Sequence, residues 1–309
     1  MTFFESQARA RRSTTVLVGL FLLAVLGVVL AVNIVAPLVY WLTTHNMLTP
    51  PPQTYLWVTT VTLAVMGLRS AIGLVQLRGG GDAVARMAGG VPLERATRDR
   101  DERRLLNVVD EMAIASGVAV PRLYVLRGER GINAFAAGYS PNEAVIVVTE
   151  AAARTLTRDE LQGVVAHEFS HILNGDIRLN VRMIGVLAGI LFVGEIGNFM
   201  LRLRSSDDRD RKGAGGLLVI GLVLLIVGYT GLFFGRLIKA AVSRQREFLA
   251  DASAVQFTRN PDGIAGALAT ISAEPGGSLV ANRHAETLSH MLFASGVTMW
   301  FESLFATHP

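Results

Sequence analysis

No cysteine occurs among the 309 residues, so neither a disulfide nor a cysteine-ligated structural zinc site can form. Any bound zinc must be held by His, Asp or Glu. Histidine is scarce too: His45, His167, His171, His284, His290 and His308 make up the full set of six, and a catalytic zinc that keeps one position open needs three protein ligands. Charge is thin, with Asp, Glu, Lys and Arg at 17% of the chain against 51% hydrophobic residues. A mean hydropathy of +0.42 is high for a soluble globular protein and points to membrane segments. The net charge of +4 and pI near 9.8 invite comparison with nucleic-acid binders, but no basic helix or aromatic platform accompanies them. The positive residues sit on membrane flanks and in loops. They read as topology and attraction to anionic lipid, with the bilayer as partner and no nucleic acid. No internal repeat is present.

The apolar residues are concentrated in four runs. Thr14 to Ala36 is charge-free and exceeds the roughly 20 residues that cross a bilayer. It is too long for a signal-peptide core and lacks a small-residue cleavage site, so it reads as a retained anchor. Tyr55 to Leu77 is a second span, interrupted by Arg69 near one end, where the side chain can snorkel to the interface. Arg9, Arg11 and Arg12 precede the first span, the loop from Trp41 to Thr54 has no Lys or Arg, and Arg69, Arg78 and Arg86 follow. Both basic flanks are therefore expected on the cytoplasmic side, together with the segment from Gly79 to Arg182. The runs Met183 to Leu201 and Gly216 to Ile238 are separated by the charged stretch from Arg202 to Lys212, and Glu195 and Asn198 lie inside the first of them. Either this pair crosses as a hairpin despite its basic loop, or it packs at the membrane without crossing fully. The length and lack of charge of Gly216 to Phe234 favour the hairpin.

The chemistry is carried by His167-Glu168-Phe169-Ser170-His171. Thr157 offers an N-cap, Asp159 and Glu160 are early acids, and Leu161, Val164, Val165 and Phe169 recur at helical spacing. On such a helix His167 and His171 stack one turn apart and Glu168 lies on the flank of that face. Two imidazoles with an adjacent carboxylate are how a catalytic zinc is held, the carboxylate taking a proton from water and returning it to a leaving amine.

A third ligand must come from elsewhere, and Ser243 to Asp251 reads as a helix with Glu247 and Asp251 on one face. Glu247 is the expected third ligand, and Asp251 is placed to orient a ligating histidine or steady the carboxylate. Ligands of one ion must share one side of the bilayer. An even number of crossings between His171 and Glu247 satisfies this, and the hairpin supplies two.

These residues resemble the membrane-bound zinc peptidases of the HtpX and CAAX prenyl protease family, of gluzincin type. The resemblance covers most of the chain. It rests on Asn133-Ala134-Phe135-Ala136-Ala137-Gly138, on HEFSH with Ile172 to Asp176, and on Ser243 to Asp251. Two leading spans, a catalytic segment, a hydrophobic pair and then the glutamate motif resemble HtpX more than the CAAX enzymes, which have more spans. The resemblance implies one Zn2+ per chain on His167, His171 and Glu247, with Glu168 as general base and acid. It implies a zinc metalloendopeptidase acting on membrane or misfolded proteins, a multi-pass protein of the bacterial inner membrane with its site facing the cytoplasm. Leu304 to Pro309 resembles the family's LFxTHP segment. Relatives usually continue beyond it, so either a trimmed chain or the loss of a closing helix is expected. His308 is a candidate donor to the oxyanion formed on attack, with His290 and His284 as competitors.

The expected fold is α+β: a mainly helical zinc-peptidase domain with a small β-sheet, plus about four transmembrane helices. The divisions are an anchor at 1–78, catalytic parts at 79–182 and 239–309, and the hydrophobic pair at 183–238. Arg122 to Leu126, Asn133 to Ala137 and Ala144 to Val148 read as short strands between Gly and Pro turns. The Gly- and Arg-rich stretch from Gly79 to Arg104 reads as a juxtamembrane linker before an amphipathic helix around Leu105 to Ala115. An exposed edge at Asn133, Ala134, Phe135 and Ala136 is a candidate surface for pairing with an extended peptide substrate. Three rivals stand beside this reading. An intramembrane protease would carry its motif inside an apolar span, whereas Thr157 to Gln162 is polar. A CAAX-type prenyl protease would need a larger membrane chamber. A non-proteolytic scaffold with a structural zinc would have no use for Glu168.

Overall fold

A long apolar run satisfies its backbone groups in a membrane by forming a helix, and the first three apolar runs of this chain are helical. The computed structural model describes residues 3–44, 49–204, 246–274, 277–281, 288 and 291–293. The chain divides into two compact units, one of Met1–Leu74 with Gly185–Val242 and one of Val75–Ile184 with Ser243–Pro309.

Among the described residues, the first unit contains helices α1 (Phe3–Thr44) and α2 (Pro52–Gln76) and the later part of a long helix that runs Asp176–Arg204. Among the described residues, three stretches are long and apolar enough to cross a membrane: Gly19–Trp41, Pro52–Met87 and Asp176–Ile196. The third expected run is therefore helical and begins earlier than its apolar core, at Asp176. The fourth run, Gly216 to Ile238, lies outside the described residues, as does most of the charged loop before it. Within this unit Asn33 donates to Thr59 Oγ1 at 2.9 Å, linking α1 to α2. Gly185 and Gly189 stand one helical turn apart, where a Cβ on Gly189 would lie 2.1 Å from Ser70 Oγ and 2.5 Å from the Met66 carbonyl. Small residues at this spacing let two apolar helices approach closely. Arg69 lies 5.8 Å from the Phe192 ring centroid, so part of its charge is accommodated by an aromatic face.

The second unit is mainly helical around a small mixed sheet, an α+β arrangement. Its elements are α3 (Gly80–Met87), β1 (Val91–Pro92), α4 (Arg100–Ser116), β2 (Arg122–Leu126), β3 (Ala134–Ala137), β4 (Val145–Thr149), α5 (Glu150–Thr155) and α6 (Arg158–Asn174). Among the described residues it also includes the start of α7 (Asp176–Arg204), helix α8 at 246–258 and α9 (Pro261–Ala273). The strands are ordered β1-β2-β4-β3. β2 and β4 run parallel, with Tyr124 opposite Val147, and β3 runs antiparallel to β4, with Phe135 opposite Val147. β3 is therefore an edge strand.

Every residue of β3 and β4 is buried, because helices cover both faces, so the strands carry no polar alternation. Alternate residues still part company. Leu123, Val125, Ala134, Ala136, Ile146 and Val148 pack with α4 and α6, while Tyr124, Leu126, Phe135, Ala137, Val145 and Val147 pack with Leu77, Val84, Ala85 and Ala88. That second cluster corrects the expected linker. Residues 80–87 form α3, and a Cβ on Gly81 would lie 2.5 Å from the Ala137 carbonyl. The glycines that look like linker composition allow a helix to lie directly on the sheet.

Candidate metal centre

Helix α6 is placed by its own ends. Thr157 caps it and forms a reciprocal capping box with Glu160, and Gly175 closes it in the left-handed conformation at φ 76°, where glycine carries no steric penalty. Leu161, Val164, Val165, Phe169 and Ile172 are buried along it. Gly163 lets α9 close on its outer side, since a Cβ there would lie 2.6 Å from Ile264 N. The helix is thus held on the sheet with His167 and Glu168 in the interior.

His167 and His171 face each other one turn apart, with Nε2 atoms 3.1 Å apart. Glu247, on α8, brings Oε2 to 3.3 Å from His167 Nε2 and 3.9 Å from His171 Nε2. The three donor atoms lie within 4.8 Å of one another. Ligands bound tetrahedrally at zinc distances are separated by about 3.3 Å along each tetrahedral edge, so the set fits a small divalent ion of that kind.

The other ring nitrogens are committed. His167 Nδ1 meets Asp251 Oδ1 at 2.9 Å, and His171 Nδ1 meets Asp176 Oδ2 at 3.1 Å. An Nδ1–H donated to a carboxylate leaves the Nε2 lone pair free to bind metal and fixes the ring orientation. Burial opposes charge on the His167 ring, yet its hydrogen bonds to Asp251 and Glu247 outweigh that and push its pKa up to about 10. The acceptors around this point favour a cation there, and a metal ion satisfies them as a proton does.

Glu168 is 1% exposed. Burial pushes its carboxyl above the ordinary value, against the lowering effect of positive charge on His171 and His167. A carboxylate made more basic in this way is suited to accept a proton near neutral pH. The backbone of Ala136 approaches it as a hydrogen-bond partner, which brings the β3 edge beside the general-base candidate.

On that edge, the Thr149 amide donates to the Asn133 carbonyl at 3.0 Å. Asn133 therefore pairs inward with β4, and Ala134 and Ala136 turn their backbone groups outward. Phe135 has its side chain in the cluster on the opposite face of the sheet. Asn133 Nδ2 donates to the Ser278 carbonyl at 2.8 Å. The Ala134 carbonyl accepts from the Phe293 amide at 2.9 Å, so part of the expected free edge is covered by the chain's own later segment. His308, and its competitors His290 and His284, lie outside the described residues.

Two residues near the histidines escaped the sequence reading. Asp176 follows the helix-ending Gly175 and orients His171; an acid five residues after the second histidine was the available signal. Phe293 packs its ring edge-on against His167, with centroids 4.9 Å apart, and no local pattern points to it.

Comparison with known proteins agrees in direction. The sequence profile of Peptidase family M48 matches residues 99–309. A "Protease HtpX homolog" of Dictyoglomus thermophilum is 37% identical over 210 residues, 66% of this chain and 65% of that protein. Another from Streptococcus gordonii is 34% identical over 221 residues, 70% of this chain and 72% of its own length. One from Dictyoglomus turgidum is 40% identical over 168 residues, 54% of this chain and 53% of the relative.

Proposed function

The chain belongs to peptidase family M48, and from that premise we propose that it is a membrane-bound zinc metalloendopeptidase. His167, His171 and Glu247 hold the metal, Glu168 is the general base and acid, and Asp251 orients His167. The observation that carries this reading is the convergence of three donor atoms within 4.8 Å, with both imidazoles held on carboxylates and a buried glutamate beside them.

When bound, zinc polarises a carbonyl and acidifies water. The chain's own residues supply the rest. Glu168 accepts the proton of the attacking water and returns it to the leaving amine, which balances the hydrolysis without a further acid. Its burial keeps bulk water from competing for that proton. The outward-facing backbone of β3 positions an extended peptide by strand addition, which asks for no particular side chain. Because the Ala134 carbonyl is engaged by Phe293, the Ala134 amide by the Asn133 side chain and the Ala136 amide by Glu168, the pairing proposed here falls on the Ala136 carbonyl. His308 is the candidate oxyanion donor.

Substrates are membrane or misfolded proteins reaching the cytoplasmic face, as quality control requires, and the protein resides in the bacterial inner membrane. The orientation follows from the arginine-rich flanks of the first two spans. The test is to purify the full chain in detergent, measure zinc per chain and follow cleavage of casein. Chelator-sensitive cleavage restored by zinc, with about one zinc per chain, supports the reading; chelator-resistant cleavage, or a protein that binds no zinc, overturns it.

A further inference from the structure

Arg246 precedes the glutamate on α8 and has no part in the chemistry described above. Its guanidinium Nη1 lies 2.9 Å from Asp176 Oδ1, with side chains 23% and 12% exposed respectively. The other oxygen of Asp176 meets His171 Nδ1 at 3.1 Å. One carboxylate is thereby shared between a histidine on α6 and an arginine on α8, although Asp176 itself opens α7. The arrangement mirrors the link at the other histidine, where Asp251 on α8 holds His167 at 2.9 Å.

We propose that Arg246 is a positioning residue for the metal centre, holding Asp176 in the rotamer that orients His171 and so coupling the glutamate helix to the second histidine. The inference rests on the zinc reading above. An arginine this near a divalent cation would by itself weaken metal binding, but paired with Asp176 it is neutralised and adds no net repulsion. Removing it leaves a largely buried carboxylate without the cation that neutralises it, and the freed carboxylate can turn away from the ring. A histidine whose supporting carboxylate is lost typically costs a site about 10–100-fold in metal affinity.

The test uses the full chain in detergent. Zinc affinity is measured by competition with a chromophoric chelator, the visible spectrum is recorded after cobalt substitution, and circular dichroism is taken without metal. Arg246→Gln is expected to weaken zinc binding about 10–100-fold and to shift the cobalt spectrum while the metal-free dichroism is unchanged. Arg246→Lys, which keeps the charge, restores most of the affinity. Asp176→Asn reproduces the loss, and the Arg246→Gln/Asp176→Asn pair is no weaker than Asp176→Asn alone. Wild-type affinity with an unaltered cobalt spectrum in Arg246→Gln overturns the proposal, as do fully additive losses in the pair. If Arg246→Gln does not fold, Arg246→Lys and Asp176→Asn decide: wild-type cobalt spectra in both overturn it. Failure of the zinc reading itself is separate, and shows as unchanged zinc affinity in His171→Ala.

Discussion

Replacing Glu168 by Gln separates catalysis from stability. The substitution keeps the shape of a side chain that is 1% exposed and removes its charge and its ability to take a proton. General-base catalysis contributes about 10²–10⁴-fold, so the barrier rises by about 3–5 kcal/mol and casein cleavage falls by that factor. Zinc content is expected to stay at the wild-type level, because Glu168 is not among the converging donor atoms.

The effect on stability has the opposite sign. Burial raises the folded-state pKa of this carboxyl. A raised folded value means that the group is least costly below its unfolded value of about 4.3 and destabilises the fold increasingly as pH rises through the folded value. Glutamine carries no such cost. The metal-free variant should therefore melt at or above the wild-type temperature at pH 8, with the gap closing as pH falls toward 4. Melting is followed in detergent by intrinsic fluorescence at several pH values. Full activity in the variant refutes the base assignment, loss of zinc refutes its exclusion from the ligand set, and a lower melting temperature at pH 8 refutes the burial argument.

Asp251→Ala removes the carboxylate that meets His167 at 2.9 Å, and zinc affinity measured by chelator competition is expected to fall about 10–100-fold. Thr157→Ala removes the N-cap of α6 and should cost about 0.5–2 kcal/mol in denaturant unfolding. The reciprocal partner Glu160 has its pKa lowered: burial opposes this, but hydrogen bonds from Thr157 and Thr270 prevail. Its contribution is therefore present above its unfolded value and lost as pH falls through the folded one, and the Thr157→Ala difference should shrink in acid. Gly163→Ala would place a Cβ 2.6 Å from Ile264 N, forcing α9 off α6 at a cost of about 1–3 kcal/mol; an unchanged melting temperature would contradict that packing.

The helical character of 157–174 was legible because it depends on residues close together in the chain. The apolar period, the Thr157 cap and the i, i+4 histidines all act within a few turns. The first two apolar helices were legible for the same reason, since about 20 consecutive apolar residues specify a spanning helix without help from distant contacts. The stretch from Gly79 to Arg104 was misread because its order comes from the sheet beneath it. Val84, Ala85 and Ala88 form too short a stripe to identify a helix in isolation, and Gly81 reads as flexibility until the Ala137 carbonyl is seen against it.

By itself the sequence determined the chemistry available to this protein. Without cysteine and with few histidines, any metal site had to draw on imidazoles and carboxylates, the HEFSH helix offered two imidazoles one turn apart, and the apolar runs were long enough to cross a membrane. The tertiary structure decided which distant groups meet. Strand order made β3 the edge, the turn at Gly175 brought Asp176 back to His171, and the packing of α8 brought Glu247, Arg246 and Asp251 to the two histidines. Spacing marked Glu247 and Asp251 as candidates on one helix, but each of those contacts joins residues from different elements, and local periodicity alone does not say which of them meet. They are set by how helices and strands bury their apolar faces together, which only the folded chain contains.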